Sequence, residues 1–323
     1  MATYKEIHGV KVQYRDSDAT AIEGDVWYNS STSKLKMYAS LGSWASGGNL
    51  TTARRGIMGA GTQTAGVAAG GVDGSGHSAD SEEYDGSSWT EGSKLGTARY
   101  SPGATGTQTA AILAGGYGGS SYQAVSEEYN GTSWTEGNNL GTARYFIWGF
   151  GTQTAALFCG GGTAPVQDLV ESYDGTTWTE TTDFNTARKR HAGSGTQTAG
   201  LLFGGDVSPG ASALTETWNG TSWTEVNDLN TARMSLGGTT GGTNTDTLAF
   251  AGGASPSPPF SALVEQWDGT SWTATTNVST GRRQPAGIGT AASGLAVGGD
   301  TGSVSNATEE WNMAASVETV AFD

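Results

Sequence analysis

From residue 54 onward the chain cycles through one pattern of small, apolar and polar positions. Arg188-Lys-Arg-His-Ala-Gly-Ser-Gly-Thr-Gln-Thr-Ala-Gly-Leu-Leu-Phe-Gly-Gly205 is representative: a small-residue strand, a Gly-Thr-Gln-Thr turn, and an apolar strand ending in a glycine pair. A second stretch follows each glycine pair. Glu82-Glu-Tyr84-Asp-Gly-Ser-Ser-Trp89 and Glu216-Thr-Trp218-Asn-Gly-Thr-Ser-Trp223 are two of its copies. Asp-Gly or Asn-Gly between aromatic and β-branched residues is a strong hairpin signal, because a type I′ turn needs positive φ at both central positions. The pattern therefore predicts four strands per unit, labelled a to d, with no helix between them.

The units repeat at a fixed period. Thr-Ala-Arg places its arginine at Arg54, Arg99, Arg144, Arg188 and Arg233, and Thr-Gly-Arg places a sixth at Arg282, at intervals of 45, 45, 44, 45 and 49 residues. One glutamate recurs with them, at Glu82, Glu127, Glu171, Glu216, Glu265 and Glu309. A period of 40 to 50 residues signals stacked supersecondary units that share one core. The order of arginine before strand a, Gly-Gly ending b, an aromatic on c and tryptophan on d resembles the kelch repeat. The resemblance covers roughly residues 44 to 312 and implies an all-β, six-bladed β-propeller with strand a innermost. Repeats of the Trp-Asp type fit less well, since their Gly-His and Trp-Asp pairs are absent.

Trp44 lies ten residues before Arg54, as Trp89 lies ten before Arg99, so an outer d strand precedes the first unit, while the last unit stops on its c strand at Trp311. Pairing these ends would close the ring and remove a sheet edge. The expected organisation is an N-terminal arm over residues 1–34, available for attachment or for self-association, and a propeller over residues 35–323.

Composition narrows the function. The 323 residues include 52 glycines and carry a formal charge of −15, which disfavours phosphate backbones and anionic lipid surfaces. No signal peptide or membrane span is evident, so synthesis in a cytosol is expected. The single cysteine, Cys159, sits in an apolar run and reads as a small core residue.

No catalytic constellation emerges, and no cofactor or metal is expected. The arginines and glutamates read as structural pairs within each blade, since a site rarely needs six identical copies. Asp-Gly-Thr-Ser-Trp differs from the Asp-box of sialidases in lacking a residue between aspartate and glycine. The copper chemistry of galactose oxidase would need more than His8, His77, His191 and a buried cysteine. The Asn-Gly-Thr triplets at Asn130 and Asn219 read as hairpin turns rather than glycosylation sites, and Asp16, Asp18, Glu23 and Asp25 as a solvated linker rather than a calcium site.

Variation between units is concentrated in the b–c loops, which run over 72–80, 117–125, 163–169, 206–214, 254–263 and 300–307 and carry Tyr117, Tyr122 and Phe260. These three are the candidate binding residues, on a face suited to a glycan or a protein surface. Finally, Glu23 to Tyr38, Trp44-Ala-Ser-Gly-Gly-Asn-Leu50, and the Thr-Ala-Arg and Gly-Thr-Gln-Thr-Ala repeats resemble structural proteins of marine bacteriophages. That resemblance implies a virion protein, tail-associated or a fibre component, whose partners are other virion proteins and a host-surface glycan or protein. A capsid decoration protein and a cellular kelch interaction module are the alternatives.

Overall fold

The computed structural model describes residues 13–18, 25–162 and 165–320. They fall into two compact units, one taking in the chain up to Ser43 together with the residues from Asn312 on, the other Trp44–Trp311. Among the described residues every regular element is a β-strand.

The smaller unit is organised around Trp27, which is fully buried. Gln13–Arg15 pairs in parallel with Val26–Asn29, placing Gln13 opposite Trp27, and Val26–Asn29 pairs antiparallel with the start of Lys34–Ser46. The Trp27 indole donates to Asp18 Oδ1 at 3.1 Å, and Arg15 lies 5.1 Å over the ring while pairing with Asp25 at 2.7 Å. Asp18 and Asp25 are therefore engaged in holding this strand pair; Glu23, the other acid of the expected linker beside Asp16, lies outside the described residues.

In the larger unit each repeat folds into an antiparallel sheet in sequence order. The third shows the register: Trp148–Thr152, Ala155–Cys159, Val170–Tyr173 and Trp178–Glu180, with Trp148 opposite Cys159, Ala156 opposite Tyr173, and Tyr173 opposite Trp178. Five sheets are four-stranded. The remaining one runs from Ala286–Gly289 through Ser293–Val297 to Thr308–Thr319, beside which lies the end of Lys34–Ser46. The arrangement is all-β and propeller-like.

The a strands stand side by side, each in contact with the a strand of the next repeat, and Ala286–Gly289 contacts Met58–Thr62. This crowding explains the small residues. A Cβ on Gly59 would lie 2.5 Å from Ile288 Cγ1, and one on Gly71, whose φ is +101°, 2.4 Å from Ile57 Cγ2. The c–d turn differs from the expected one. Gly86 and Ser87 form its tip, and only the glycine has positive φ. Asp85 precedes the tip, where its carboxylate accepts from the amides of Ser87 and Ser88, each at 2.8 Å. That side-chain grip replaces the second positive φ of a type I′ turn.

Two sets of backbone hydrogen bonds link each repeat to the next. The residue two after each repeat arginine is left-handed whatever its identity, with φ of 59° at Gly56, 50° at Ser101, 55° at Phe146, 58° at Arg190, 56° at Ser235 and 54° at Gln284. Ser101 N donates to Gly56 O, Phe146 N to Ser101 O, Arg190 N to Phe146 O, Ser235 N to Arg190 O and Gln284 N to Ser235 O; Gly56 N donates to Gln284 O at 3.0 Å, returning to the start. Strain at five non-glycine residues is held by this cycle of bonds. In the second set a glycine of each pair donates to the arginine carbonyl one repeat on: the later glycine in five repeats, as from Gly71 N to Arg99 O and from Gly299 N to Arg54 O, and the earlier one in the fifth, from Gly252 N to Arg282 O.

Side chains add a third link. Gln153 Nε2 donates to Ala111 O at 2.9 Å and Tyr129 O at 2.8 Å in the preceding repeat, and Gln63, Gln108 and Gln197 do the same in theirs. The invariance of Gly-Thr-Gln-Thr in four repeats thus has a structural cause. The c-strand tyrosines Tyr84, Tyr129 and Tyr173 donate to Glu310, Glu83 and Glu128 of the repeat before.

Candidate functional site

The repeat arginines and glutamates lie inside the sheets. Arg144 is fully buried. Its Nη1 donates to Gly160 O at 2.8 Å and Leu169 O at 2.9 Å, and its Nη2 to Glu171 Oε1 at 2.6 Å. Glu171 Oε2 accepts from Gly141 N at 2.6 Å. The Arg144 guanidinium thus pins the end of strand b and the b–c loop to strand c, as those of Arg54, Arg233 and Arg282 do in their repeats. The same pairing joins Arg54 to Glu82, Arg99 to Glu127, Arg188 to Glu216, Arg233 to Glu265 and Arg282 to Glu309. Burial pulls the Arg99 guanidinium down to about 10, and Glu127 opposes that shift. With both partners of every pair buried, these twelve residues present no surface to a ligand.

Cys159 is fully buried, and burial pushes its thiol far up, leaving no thiolate for chemistry. Among the described residues no group of three His, Cys, Asp or Glu side chains could hold a metal ion.

His191 occupies an apolar position, three residues after its repeat arginine, where other repeats have Ile57, Ile147 and Leu236. Burial, reinforced by the neighbouring Arg188 guanidinium, pulls its imidazole down to about 3. Because the unfolded chain takes up this proton near pH 6.5 and the folded one does not, stability is lost as pH falls from 6.5 towards 3, at about 1.4 kcal/mol per pH unit. His191→Leu removes this slope. At pH 4 wild type should be about 3 kcal/mol less stable than at pH 7 relative to the same comparison in the variant; parallel urea titrations at the two pH values check it, and equal acid losses in both proteins would disprove it.

Antiparallel order puts the a–b and c–d turns at one end of the sheets and the b–c loops, with the d-to-a connections, at the other. At this second end the residue just after each repeat arginine forms a bridge at the end of the glycine pair: Arg55 with Val72, Tyr100 with Tyr117, Tyr145 with Gly162, Lys189 with Asp206 and Arg283 with Asp300, each just past its pair, and Met234 with Gly253, the second glycine of its pair. These positions divide by chemistry.

Repeats two and three supply tyrosines. Tyr122 stacks on Tyr145 with centroids 5.1 Å apart, Tyr117 sits 5.7 Å from Tyr122, Tyr100 5.4 Å from Phe146, and Tyr145 4.4 Å from Phe146. His77 flanks the group, 5.5 Å from Tyr117. Tyr100, Tyr117, Tyr122, Tyr145, Phe146 and Arg190 line a hollow of about 350 Å³, within the size range of small-molecule sites. No known protein family and no curated protein matches this chain.

The other repeats supply charge. Asp206 is gripped by Arg190 at 3.3 Å and Lys189 at 3.8 Å, and Asp300 by Arg283 at 2.9 Å and Arg55 at 3.1 Å. Partial burial raises the Asp300 carboxyl, but the Gly302 amide and the Arg283 guanidinium outweigh it and hold the group below its usual value. Four cations thus cluster around Asp206 and Asp300, and outside the six buried pairs the only other cation of Trp44–Trp311 is Lys94, which pairs with Asp80.

The structure brings Tyr117 and Tyr122 together and places Phe260 apart, beneath Arg283 at 4.9 Å. Tyr100, Tyr145, Phe146 and Arg190 fall outside the b–c loops and were missed by a reading confined to those loops. Their signal is positional: each lies one or two residues after a repeat arginine, where the other repeats carry different residues.

Proposed function

We propose that the chain is a non-enzymatic binding protein, a bacteriophage virion component of the tail or fibre. In this reading Trp44–Trp311 is a closed six-bladed kelch-type propeller that offers its b–c end to a partner. The observation that carries the binding reading is the tyrosine hollow beside Arg190, at the b–c end of the sheets. The six buried Arg–Glu pairs, the hydrogen-bond cycle returning from Gly56 to Gln284, and Trp44 packed 5.3 Å from Trp311 support six blades and closure. The virion assignment rests on the resemblance of residues 23–50 and of the repeats to phage structural proteins, with residues 1–34 as an attachment arm towards other virion proteins or further copies of the chain.

Immunogold labelling of intact particles with an antibody to this chain tests the assignment. Label confined to the tail is expected. Label over the capsid would move the protein to a decoration role, and particles without label would discard the virion assignment in favour of a cellular interaction module.

A further inference from the structure

We infer that the hollow between Tyr117, Tyr122, Tyr145 and Arg190 is a subsite for an acidic sugar, a pyranose bearing a carboxylate as in uronic or sialic acids. The inference rests on the binding reading above and names its ligand.

The first argument is what the hollow offers. Arg190 lies 4.6 Å over the Phe146 ring, and its Nη1 is held by Asp206 Oδ2 at 3.3 Å with Met234 Sδ at 3.9 Å. Its Nη2 has no protein partner among the described residues. A guanidinium fixed along one edge and open on the other is a preorganised donor for a carboxylate. Of the tyrosine hydroxyls, that of Tyr117 donates to Gly119 O at 2.9 Å and that of Tyr100 accepts from Gln284. Those of Tyr122 and Tyr145 have no protein partner among the described residues. Tyr122 is 39% exposed, leaving ring surface for the apolar face of a sugar. Ring surface, free hydroxyls and the open Nη2 edge of a guanidinium whose Nη1 pairs with Asp206, within about 350 Å³, match a sugar with alternating C–H and O–H faces and one negative group.

The second argument is what the hollow withholds. An extended peptide binds a sheet edge through main-chain hydrogen bonds. Here Tyr100 and Tyr117 exchange both of theirs, at 3.0 and 2.9 Å, and Tyr145 and Gly162 exchange theirs. No strand edge is left at this wall, so recognition must come from side chains. A nucleic acid would need a run of cations along its backbone, whereas Arg190 is the only cation lining the hollow.

Saturation-transfer NMR on the full chain, with galacturonate, glucuronate, mannuronate and N-acetylneuraminate against galactose, glucose and mannose, tests the inference. At least one acid should bind, about tenfold or more tighter than its neutral counterpart, since loss of a charged hydrogen bond costs about that factor. Tyr122→Ala, at an exposed position, and Arg190→Gln, which installs the residue the sixth repeat carries at Gln284, should each abolish the signal while leaving the melting curve near wild type. Four results would overturn the inference: silence from all four acids, equal binding of acid and neutral sugar, binding indifferent to both variants, or binding of a polyglutamate peptide at this hollow in place of every sugar. Particle labelling reads the virion assignment independently, so a labelled tail with silent sugars would remove the ligand and leave the assignment standing.

Discussion

Arg144→Ala should lower the stability of the protein by about 3–5 kcal/mol, because it leaves the Glu171 carboxylate buried without its countercharge. The loss does not end with the ion pair. Arg144 also donates to Gly160 O and to Leu169 O, the latter shared with the Gly160 amide. For that reason the double variant Arg144→Met, Glu171→Leu should recover little, although swapping a buried ion pair for apolar residues is often neutral elsewhere. It orphans Gly160 O and the Gly141 amide, each at a cost of about 1–3 kcal/mol, and leaves Leu169 O with the Gly160 amide alone. Arg144→Lys retains the charge but presents a compact ammonium in place of a fork, and should fall between wild type and alanine. Denaturant midpoints for the three variants are the measurement; a loss under about 1 kcal/mol in the alanine variant would mean the pair is solvated.

Removing residues 1–48 should lower the melting temperature by at least about 10 °C and make the protein prone to aggregate. The deletion takes away Trp44, whose ring packs against Trp311 at 5.3 Å and Phe250 at 5.6 Å and whose indole donates to Thr276 O at 3.0 Å. It also takes the Gly47 amide bonded to Thr308 O at 2.9 Å. The strand Thr308–Trp311 would then present unpaired backbone. Trp44→Ala in the full chain separates packing from pairing: the ring is half-buried, so the change should cost about 1–3 kcal/mol, less than a core large-to-small change, without the aggregation. A truncated protein with an unaltered melting curve would show that this strand contributes no closure.

Much of the architecture could be read from residues because the structure spends the same side chains on the same tasks in every repeat. An arginine that must satisfy two carbonyls and a carboxylate tolerates no substitute, so its spacing survives in the sequence, as does the Gly-Gly that passes within contact of Ile57 or Ile147. The left-handed cycle left no such trace. Its positions are filled by Gly, Ser, Phe, Arg, Ser and Gln, since neighbouring backbone rather than side-chain identity enforces the conformation, and glycine content alone does not reveal it. The hollow was half legible for a related reason. Tyr117 and Tyr122 stand out as aromatics in a variable loop, whereas Tyr100 and Tyr145 follow an invariant arginine and look like part of the repeat until the copies are compared at that single position. Phe260 shares the composition of the tyrosines but packs under Arg283, which loop membership could not reveal.

The cycle that runs from Gly56 through Gln284 and back has six members joined by the same bond, and only one of its junctions, between Gln284 and Gly56, lacks a covalent route of ordinary repeat length. Such a circle has no first member. The chain could be cut between two other repeats, with Trp311 joined through a short linker to Trp44, and every bond of the cycle would still have its donor and its acceptor.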